Sequence, residues 1–437
     1  MRREKTTVSA VLALSSKPFL AIAGLRVESI LHEFFCNDRV YLLTFPKNLF
    51  PEKRAFQRFL LRWYASHKRD LPWRKNADPY RVMVSEFMLQ QTRVETVLPY
   101  YERFLKTFPT LQSLARASLQ SVLKIWAGMG YYARARHLHA AARAILYRHA
   151  GMIPRTKKEL LSLPGFGPYI AGAVASIAFH EPVAALDGNV KRVVSRVLGH
   201  REEISTSRQK KVLENSVGEL IPSRQASAFN QALMDLGALV CIPKQPRCPQ
   251  CPIQSLCSWR TTDRSAPSPL AGEGEGGGDF GRSSFVRIEE RNKKRRVRKI
   301  RKQVWAVALV EQDGRYLIHR KEGKGLLAGL WQFPIVALEE NISREARQER
   351  KIIRDALRGN FGLRLKIKGE LPIKEHQFTH LHVTMKPFQC SLAETISADK
   401  VPRDLRWVKP SHLSRYPISR AMGKIAALIH YPSASPP

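Results

Sequence analysis

"SLPGFGPYIAGAVASIAF", residues 162–179, decides how the first half of this chain is read. Upstream, Thr156 and Glu159 have capping-box spacing ahead of "LLSL", which predicts a short helix to about Leu163. Pro168 can open a second helix, because its missing N–H would have no intrahelical partner there. Gly165 and Gly167 between them permit positive φ and leave no side chain between the backbone and a ligand. Helix, Gly-x-Gly turn and helix would together aim several backbone N–H groups outward at a positive dipole end, a seat for phosphate. A Gly-x-Gly alone also reads as an ordinary turn between helices. Leu-Pro-Gly-Phe-Gly followed by a small-residue apolar helix is the more specific pattern.

The charge balance points the same way. The chain has 437 residues, enough for two or three domains, and 73 Lys and Arg against 37 Asp and Glu give a net charge of +36. A surplus of that size calls for a polyanion or an anionic surface. No stretch of eighteen apolar residues exists, so a membrane span is not expected and nucleic acid becomes the leading partner class. Four of the six cysteines crowd into "CIPKQPRCPQCPIQSLC" as Cys241, Cys248, Cys251 and Cys257. Their C-x6-C-x2-C-x5-C spacing holds one close pair, where structural zinc usually takes two. Four thiolates within one Pro-rich loop suit an iron–sulfur cubane better.

Helical spacing and short Gly/Pro breaks run from about residue 52 to 240, with no alternating strand pattern, so an all-α domain is expected over 52–260. Residues 261–302 change character: "APSPLAGEGEGGGDFGRSS" cannot bury a core, and "RNKKRRVRKIRK" is basic at nine of twelve positions. It reads as a solvated linker that could also attract phosphate. From 303 to 437 the period becomes two. "VWAVALVEQDGRYLIHR" reads as strand, Asp-Gly turn, strand, and a charged helix near 343–358 and further strands complete an α+β domain. Residues 1–51 start with basic residues and a short apolar run that Lys17 and Pro18 interrupt, without a convincing cleavage site. The expectation is an over-extended reading frame rather than a targeting segment, although no methionine lies between Met1 and Met83.

Two carboxylates stand out. Glu86, in "MVSEFMLQQTRVETV", has Val82 and Leu89 at i−4 and i+3, so an apolar stripe should raise its pKa and favour the protonated acid. Asp187, in "ALDGNVKRVVSRV", can N-cap the following helix, and backbone N–H groups should keep it ionised.

The Leu-Pro-Gly-Phe-Gly segment resembles the helix-hairpin-helix motif of base-excision DNA glycosylases, and the cysteine spacing matches the [4Fe–4S] loop of the endonuclease III family. "LPWR" (71–74), "SEFMLQQT", "GMGYYARAR" (128–136), the hairpin and the cysteine loop follow the order seen in MutY-type adenine DNA glycosylases, and the resemblance extends into the C-terminal half. It implies an all-α glycosylase domain joined to an α+β Nudix-like domain that reads 8-oxoguanine. Glu86 and Asp187 fall on the family's catalytic carboxylates; Tyr169 and Asn189 complete the set by stabilising the sugar and ordering water. The residues implied to meet DNA are Arg74, Gln91, Thr92, Met129, Tyr131, Gly165 and Gly167. Among them Gln91 and Tyr131 enter the base stack, while Thr92 and Met129 border 8-oxoguanine. "QFTHLH" supplies Phe378, Thr379 and His380 for the lesion-reading loop, with Thr379 where serine is usual. "SREARQERKIIRDALRGNFG" keeps Arg344 and Glu345 of a Nudix helix but has Gln348 before Glu349, so Mg²⁺ hydrolysis is not expected.

The implied activity is removal of adenine opposite 8-oxoguanine, or more weakly guanine, in duplex DNA by a monomeric, cytoplasmic bacterial enzyme carrying a [4Fe–4S] cluster. The alternatives are a bifunctional glycosylase/lyase for oxidised pyrimidines, a nucleotide-pool hydrolase, and a catalytically silent DNA-binding iron–sulfur protein. Relatives that cut the strand carry lysine where Tyr169 stands, which argues against the first. The broken acidic helix argues against the second, and the pair Glu86 and Asp187 against the third.

Overall fold

Local capping rules set the helices of the first half. The computed structural model describes residues 52–200, 204, 206–261, 300–323, 325–338, 346–393 and 404–430. Twelve α-helices run through the described part up to residue 261: α1 (Lys53–His67), α2 (Pro79–Leu89), α3 (Val94–Thr107), α4 (Leu111–Arg116), α5 (Leu119–Trp126), α6 (Ala133–Arg148), α7 (Lys157–Leu160), α8 (Pro168–Phe179), α9 (Gly188–Val197), α10 (Ser207–Leu220), α11 (Ala226–Leu239) and α12 (Ser258–Thr261). Asp78 caps α2 through the Arg81 N–H at 2.8 Å, directly before Pro79. Thr156 and Glu159 close the expected capping box, but α7 ends at Leu160, about one turn short of the expectation. Turns then lead to Gly165.

The hairpin glycines differ in their reason for being glycine. Gly165 has φ +77°, and a Cβ there would come 2.4 Å from Cβ of His137. Gly167 has φ −87°, so the expectation of positive φ at both glycines is corrected: at 167 the missing side chain leaves open space in front of the N-terminus of α8. Helix α8 is buried on nearly every side, which explains its run of small apolar residues. At Gly172 a Cβ would sit 2.2 Å from the carbonyl oxygen of Ala184. The segment after α8 is further held by Asn230, which accepts from the Ala185 N–H at 3.0 Å and donates to the Val183 carbonyl at 3.0 Å. That segment delivers Asp187.

The second half is a sheet covered on both faces. Its strands are β1 (Arg301–Gln312), β2 (Arg315–Arg320), β3 (Trp331–Gln332), β4 (Ile335–Leu338), β5 (Leu365–Glu370), β6 (Lys374–Gln377), β7 (Leu381–Leu392) and β8 (Leu405–Val408), with helices α13 (Ala346–Phe361) and α14 (Arg420–His430). The order is β3-β2-β1-β7-β5, with β4 on β1, β6 on β7 and β8 on β2. Asp313 (φ 50°) and Gly314 (φ 70°) make the left-handed turn of the β1–β2 hairpin, as the Asp-Gly pair predicts. β1 and β7 pair in parallel from Arg301↔Leu381 to Glu311↔Ser391.

The period of two sorts their side chains. Val307, Leu309, Val383 and Met385 join the same hydrophobic core as the helical half. Ala306, Ala308, Val310, Phe388 and Cys390 pack instead with Ile353 and Leu357 of α13. Hydrogen bonds stitch the halves where these cores meet: Gln120 donates to the Gly329 carbonyl at 3.0 Å and accepts from the Trp331 indole at 2.9 Å, and Arg136 donates to the Ala328 carbonyl at 2.8 Å. Arg344 and Glu345, the expected remnants of a Nudix helix, lie outside the described residues, as does nearly all of the linker. Glu349 pairs with Lys386 at 2.8 Å.

The contact at Gly172 is backbone against backbone and cannot be relieved by a side-chain rotation. Gly172→Ala should therefore lower stability by about 1–3 kcal/mol, seen as a fall in the melting temperature. An unchanged melting temperature would contradict the packing described for α8.

Candidate active site

Glu86 is placed by a helix that is almost entirely interior: Tyr80 and every residue from Val82 to Met88 are buried, and Glu86 itself is 4% exposed. Burial is the larger influence and pushes its carboxyl up to about 7. The hydrogen bond from the Tyr169 hydroxyl to Oε2 (2.5 Å) and the charge of Arg74 pull down, and Asp187 pushes up. Tyr169, at the start of α8, is itself raised well above its ordinary value by burial and by both carboxylates, so its phenol stays a proton donor.

Asp187 caps α9, accepting from the Val190 N–H at 2.6 Å through Oδ1 and from the Asn189 amide at 3.0 Å through Oδ2. These bonds are the ones expected to keep it ionised, and burial works against them. Burial raises the Asp187 pKa, and the hydrogen bonds and Arg192 only reduce the rise. The other end of Asn189 accepts from Arg192 at 2.8 Å, and Arg192 also donates to the carbonyls of Gly237 (2.7 Å) and Cys241 (2.8 Å). Asn189 thus links Arg192 to Asp187 through the two ends of its amide. The fit is close, since a Cβ on Gly237 would fall 2.6 Å from Cβ of Asn189.

These groups line one cleft of about 950 Å³ together with Arg74, Gln91, Thr92, Tyr131 and Arg134. Two residues on its rim have left-handed backbones, Gln91 (φ 56°) and Tyr131 (φ 49°), and Tyr131 is 40% exposed. Such a backbone costs free energy in a residue with a side chain. The Tyr131 hydroxyl lies 2.7 Å from the Thr379 hydroxyl, so the β6–β7 loop carrying Phe378, Thr379 and His380 reaches the rim of the cleft. Thr379 and His380 are exposed, while Phe378 is half-buried against Trp305 and His376.

Two implied DNA contacts sit differently. Arg74 makes a bidentate pair with Asp235 (2.7 and 2.9 Å), and its charge reaches Glu86 from within the protein. Met129 is buried in the core. Asp235 was not singled out from sequence; a lone acid on the apolar helix "FNQALMDLGALV" is the signal that could have revealed it. Burial would push Asp235 up, but Arg74 and then Arg69 outweigh it and hold the carboxyl below its ordinary range. Arg134, inside "GMGYYARAR", was missed as well.

The four cysteines line a separate, mostly apolar cavity with Val193, Val197, Leu236, Val240 and Ile253. Among the described residues, no three His, Cys, Asp or Glu side chains converge on one ion position. A donor set of four thiols spread around one cavity fits a cluster in which each thiolate takes a different iron. An Arg196 guanidinium N–H lies 3.3 Å from Sγ of Cys241, a charge that suits sulfur ligands carrying negative charge.

A helical hairpin domain with a buried and a half-buried carboxyl at its cleft, joined to a sheet domain that reaches the cleft rim, defines a base-excision DNA glycosylase with a Nudix-type partner domain. Residues 84–221 match the HhH-GPD superfamily of base excision DNA repair proteins, and residues 305–428 match the NUDIX domain family. The chain is 34% identical over 411 residues to the adenine DNA glycosylase of Homo sapiens, covering 86% of this chain and 74% of that protein. To the Mus musculus adenine DNA glycosylase it is 36% identical over 409 residues, covering 85% and 77%. Among solved structures, a thermostable thymine-DNA glycosylase aligns with 48% of this chain and 97% of its own, at 28% identity and a TM-score of 0.44. The chain belongs to the adenine DNA glycosylase family.

Because Glu86 holds its proton more tightly when folded than its ordinary value of 4.5 allows, its stabilising contribution is full below pH 4.5 and is lost as pH rises through about 7. Glu86→Gln cannot ionise. Its melting temperature relative to wild type should rise between pH 5 and pH 8, by the equivalent of on the order of a few kcal/mol. A pH-independent difference would mean that Glu86 is not held as a neutral acid.

Proposed function

We propose that this protein excises adenine from duplex DNA where it lies opposite 8-oxoguanine or, more weakly, guanine, and that it stops at the abasic site. The observation that carries this reading is the buried Glu86 carboxyl, raised to about 7 and bonded to the Tyr169 hydroxyl, in the wall of a cleft roomy enough to admit a nucleotide. The family supplies adenine as the base, and the loop carrying Thr379 at the cleft rim supports reading of the opposite base.

The chemistry follows from proton positions. DNA phosphates rest against the open N-terminus of α8 at Gly165 and Gly167, and the extruded adenine enters the cleft at a cost of roughly a few kcal/mol. Glu86 gives its proton to N7 of adenine, the bond from C1′ to N9 breaks, and the base leaves neutral. The Asp187 carboxylate, with Asn189 and Arg192 behind it, and the Tyr169 hydroxyl face the positive charge that develops on the sugar. Water adds at C1′ and gives its proton to the Glu86 carboxylate, which restores the acid. Tyr169 holds the place of the lysine found in strand-cutting relatives, and a phenol forms no imine with C1′.

Cys241, Cys248, Cys251 and Cys257 are inferred to hold a [4Fe–4S] cluster, supported by their spacing, their common cavity and the N–H of Arg196. Bound there, the cluster supplies a cross-link that fixes the loop carrying the exposed Lys244 and Arg247. Through the Arg192 bond to the Cys241 carbonyl, the same loop borders the residues that hold Asp187.

In single-turnover assays, wild-type protein should release adenine from an A:8-oxoguanine duplex faster than from A:G and leave the strand whole until alkali is added. Strand scission at the rate of base release would overturn the monofunctional reading. Glu86→Gln should abolish excision while duplex binding persists. Tyr169→Phe removes a bond that lowers the Glu86 pKa, so the alkaline limb of its pH–rate profile should move upward from about 7. A limb that moves downward would exclude Glu86 as the acid. Purified protein should be brown and contain about four irons per chain, and one zinc without iron would exclude the cluster.

A further inference from the structure

Among the described residues Arg134 is a buried cation with no acidic partner, and its side-chain hydrogen bonds run to the end of α2 and to the Gly130 turn on the cleft rim. It is 5% exposed. Its Nη1 donates to the carbonyls of Phe87 (3.3 Å), Met88 and Gln90 (2.6 Å), the uncapped end of α2, and its Nη2 donates to the Gly130 carbonyl at 3.2 Å. Its guanidinium also lies over the rings of Trp126 (5.5 Å) and Tyr131 (5.3 Å). Two of the carbonyls it holds, those of Gln90 and Gly130, belong to the residues just before Gln91 and just before Tyr131. Those are the two rim residues with left-handed backbones. A left-handed backbone in a residue with a side chain persists only where its surroundings over-determine it. Here one planar fork of donors determines both.

We infer that Arg134 is a positioning residue that locks Gln91 and Tyr131 in the raised conformation needed to wedge the DNA stack, so that the cost of straining both loops is met in the fold and not when DNA binds. The inference rests on the proposed base-extruding function. Lysine cannot replace it, because an ammonium is a point charge that cannot serve three carbonyls and a fourth across the gap with one plane. The bond from Tyr131 to Thr379 carries the same lock to the loop of the sheet domain.

The test separates wedging from chemistry. A duplex carrying 2-aminopurine beside the target adenine is titrated with Glu86→Gln, and with Glu86→Gln combined with Arg134→Met or Arg134→Lys; the fluorescence rise on saturation reports unstacking without any bond being cut. Both double variants should lose most of the rise. Excision is then measured for Arg134→Met and Arg134→Lys with adenine opposite 8-oxoguanine and opposite a tetrahydrofuran abasic analogue, where the base has no partner to leave. Excision should fall by about tenfold or more on the first duplex, the equivalent of one hydrogen bond from a charged donor, and stay within about threefold of wild type on the second. A full fluorescence rise in the Arg134→Met or Arg134→Lys background, or equal loss on both duplexes, would overturn the inference and leave Arg134 a packing residue. Absence of excision by wild type opposite 8-oxoguanine would sink the proposed reaction instead, and the fluorescence arm would still decide the role of Arg134, as it would if wild type were silent on the abasic duplex alone.

Discussion

A carboxyl group kept out of water is the constraint on which the helical half depends. A buried acid can be held in two ways, and this protein uses both, with Arg74 between them. Asp235 is answered by two guanidinium groups and is held below its ordinary range. Glu86 is answered mainly by a neutral phenol, so burial wins and the carboxyl rises to about 7. The difference is one of partners, since both groups are buried on helices. Arg74 joins them: paired with Asp235, it moderates Glu86 from a distance without supplying a direct ion pair that would strip the proton away. Replacing the phenol with a cation would turn Glu86 into a second Asp235.

The second carboxylate shows how far the support extends. Asp187 is reached through α8, whose glycine lies against the Ala184 backbone, and through Asn230, which holds the strand-like approach segment. It is then oriented by Asn189, Arg192 and the backbone of Gly237 and Cys241. Elements far apart in sequence thereby set one oxygen pair. Supporting contacts of this kind are what keep a reacting geometry in place before substrate arrives.

Local patterns made the hairpin, the Asp-Gly turn and the first turn of α2 legible, because each depends on residues within a few positions of one another. Glu86 was legible for the same reason, with its apolar neighbours at helical spacing. The cysteine spacing marked four residues that the fold brings to one cavity. What the sequence hid is what depends on long-range partners: the guanidiniums that answer Asp235, the pairing that takes Arg74 away from the surface, and the carbonyls gathered by Arg134. Gly167 was misjudged because glycine signals either an unusual φ or an empty space, and only coordinates distinguish them. For Asp187 the helix cap could be seen in sequence, whereas the burial that raises its pKa could not.

The core shared between the helices and the sheet has a consequence for how the molecule comes apart. Val307, Leu309, Val383 and Met385 lie in the same hydrophobic cluster as Leu123 and Leu138, so the sheet cannot melt without exposing apolar surface of the helical half. Two regions joined in this way are coupled in stability, so a destabilising change in either is felt by both. A destabilising change in the sheet far from Glu86 would therefore reduce the amount of competent enzyme rather than its fidelity, and the two outcomes would look alike in a cell that counts only mutations. For a chain of this construction, the abundance of folded protein is itself a repair parameter.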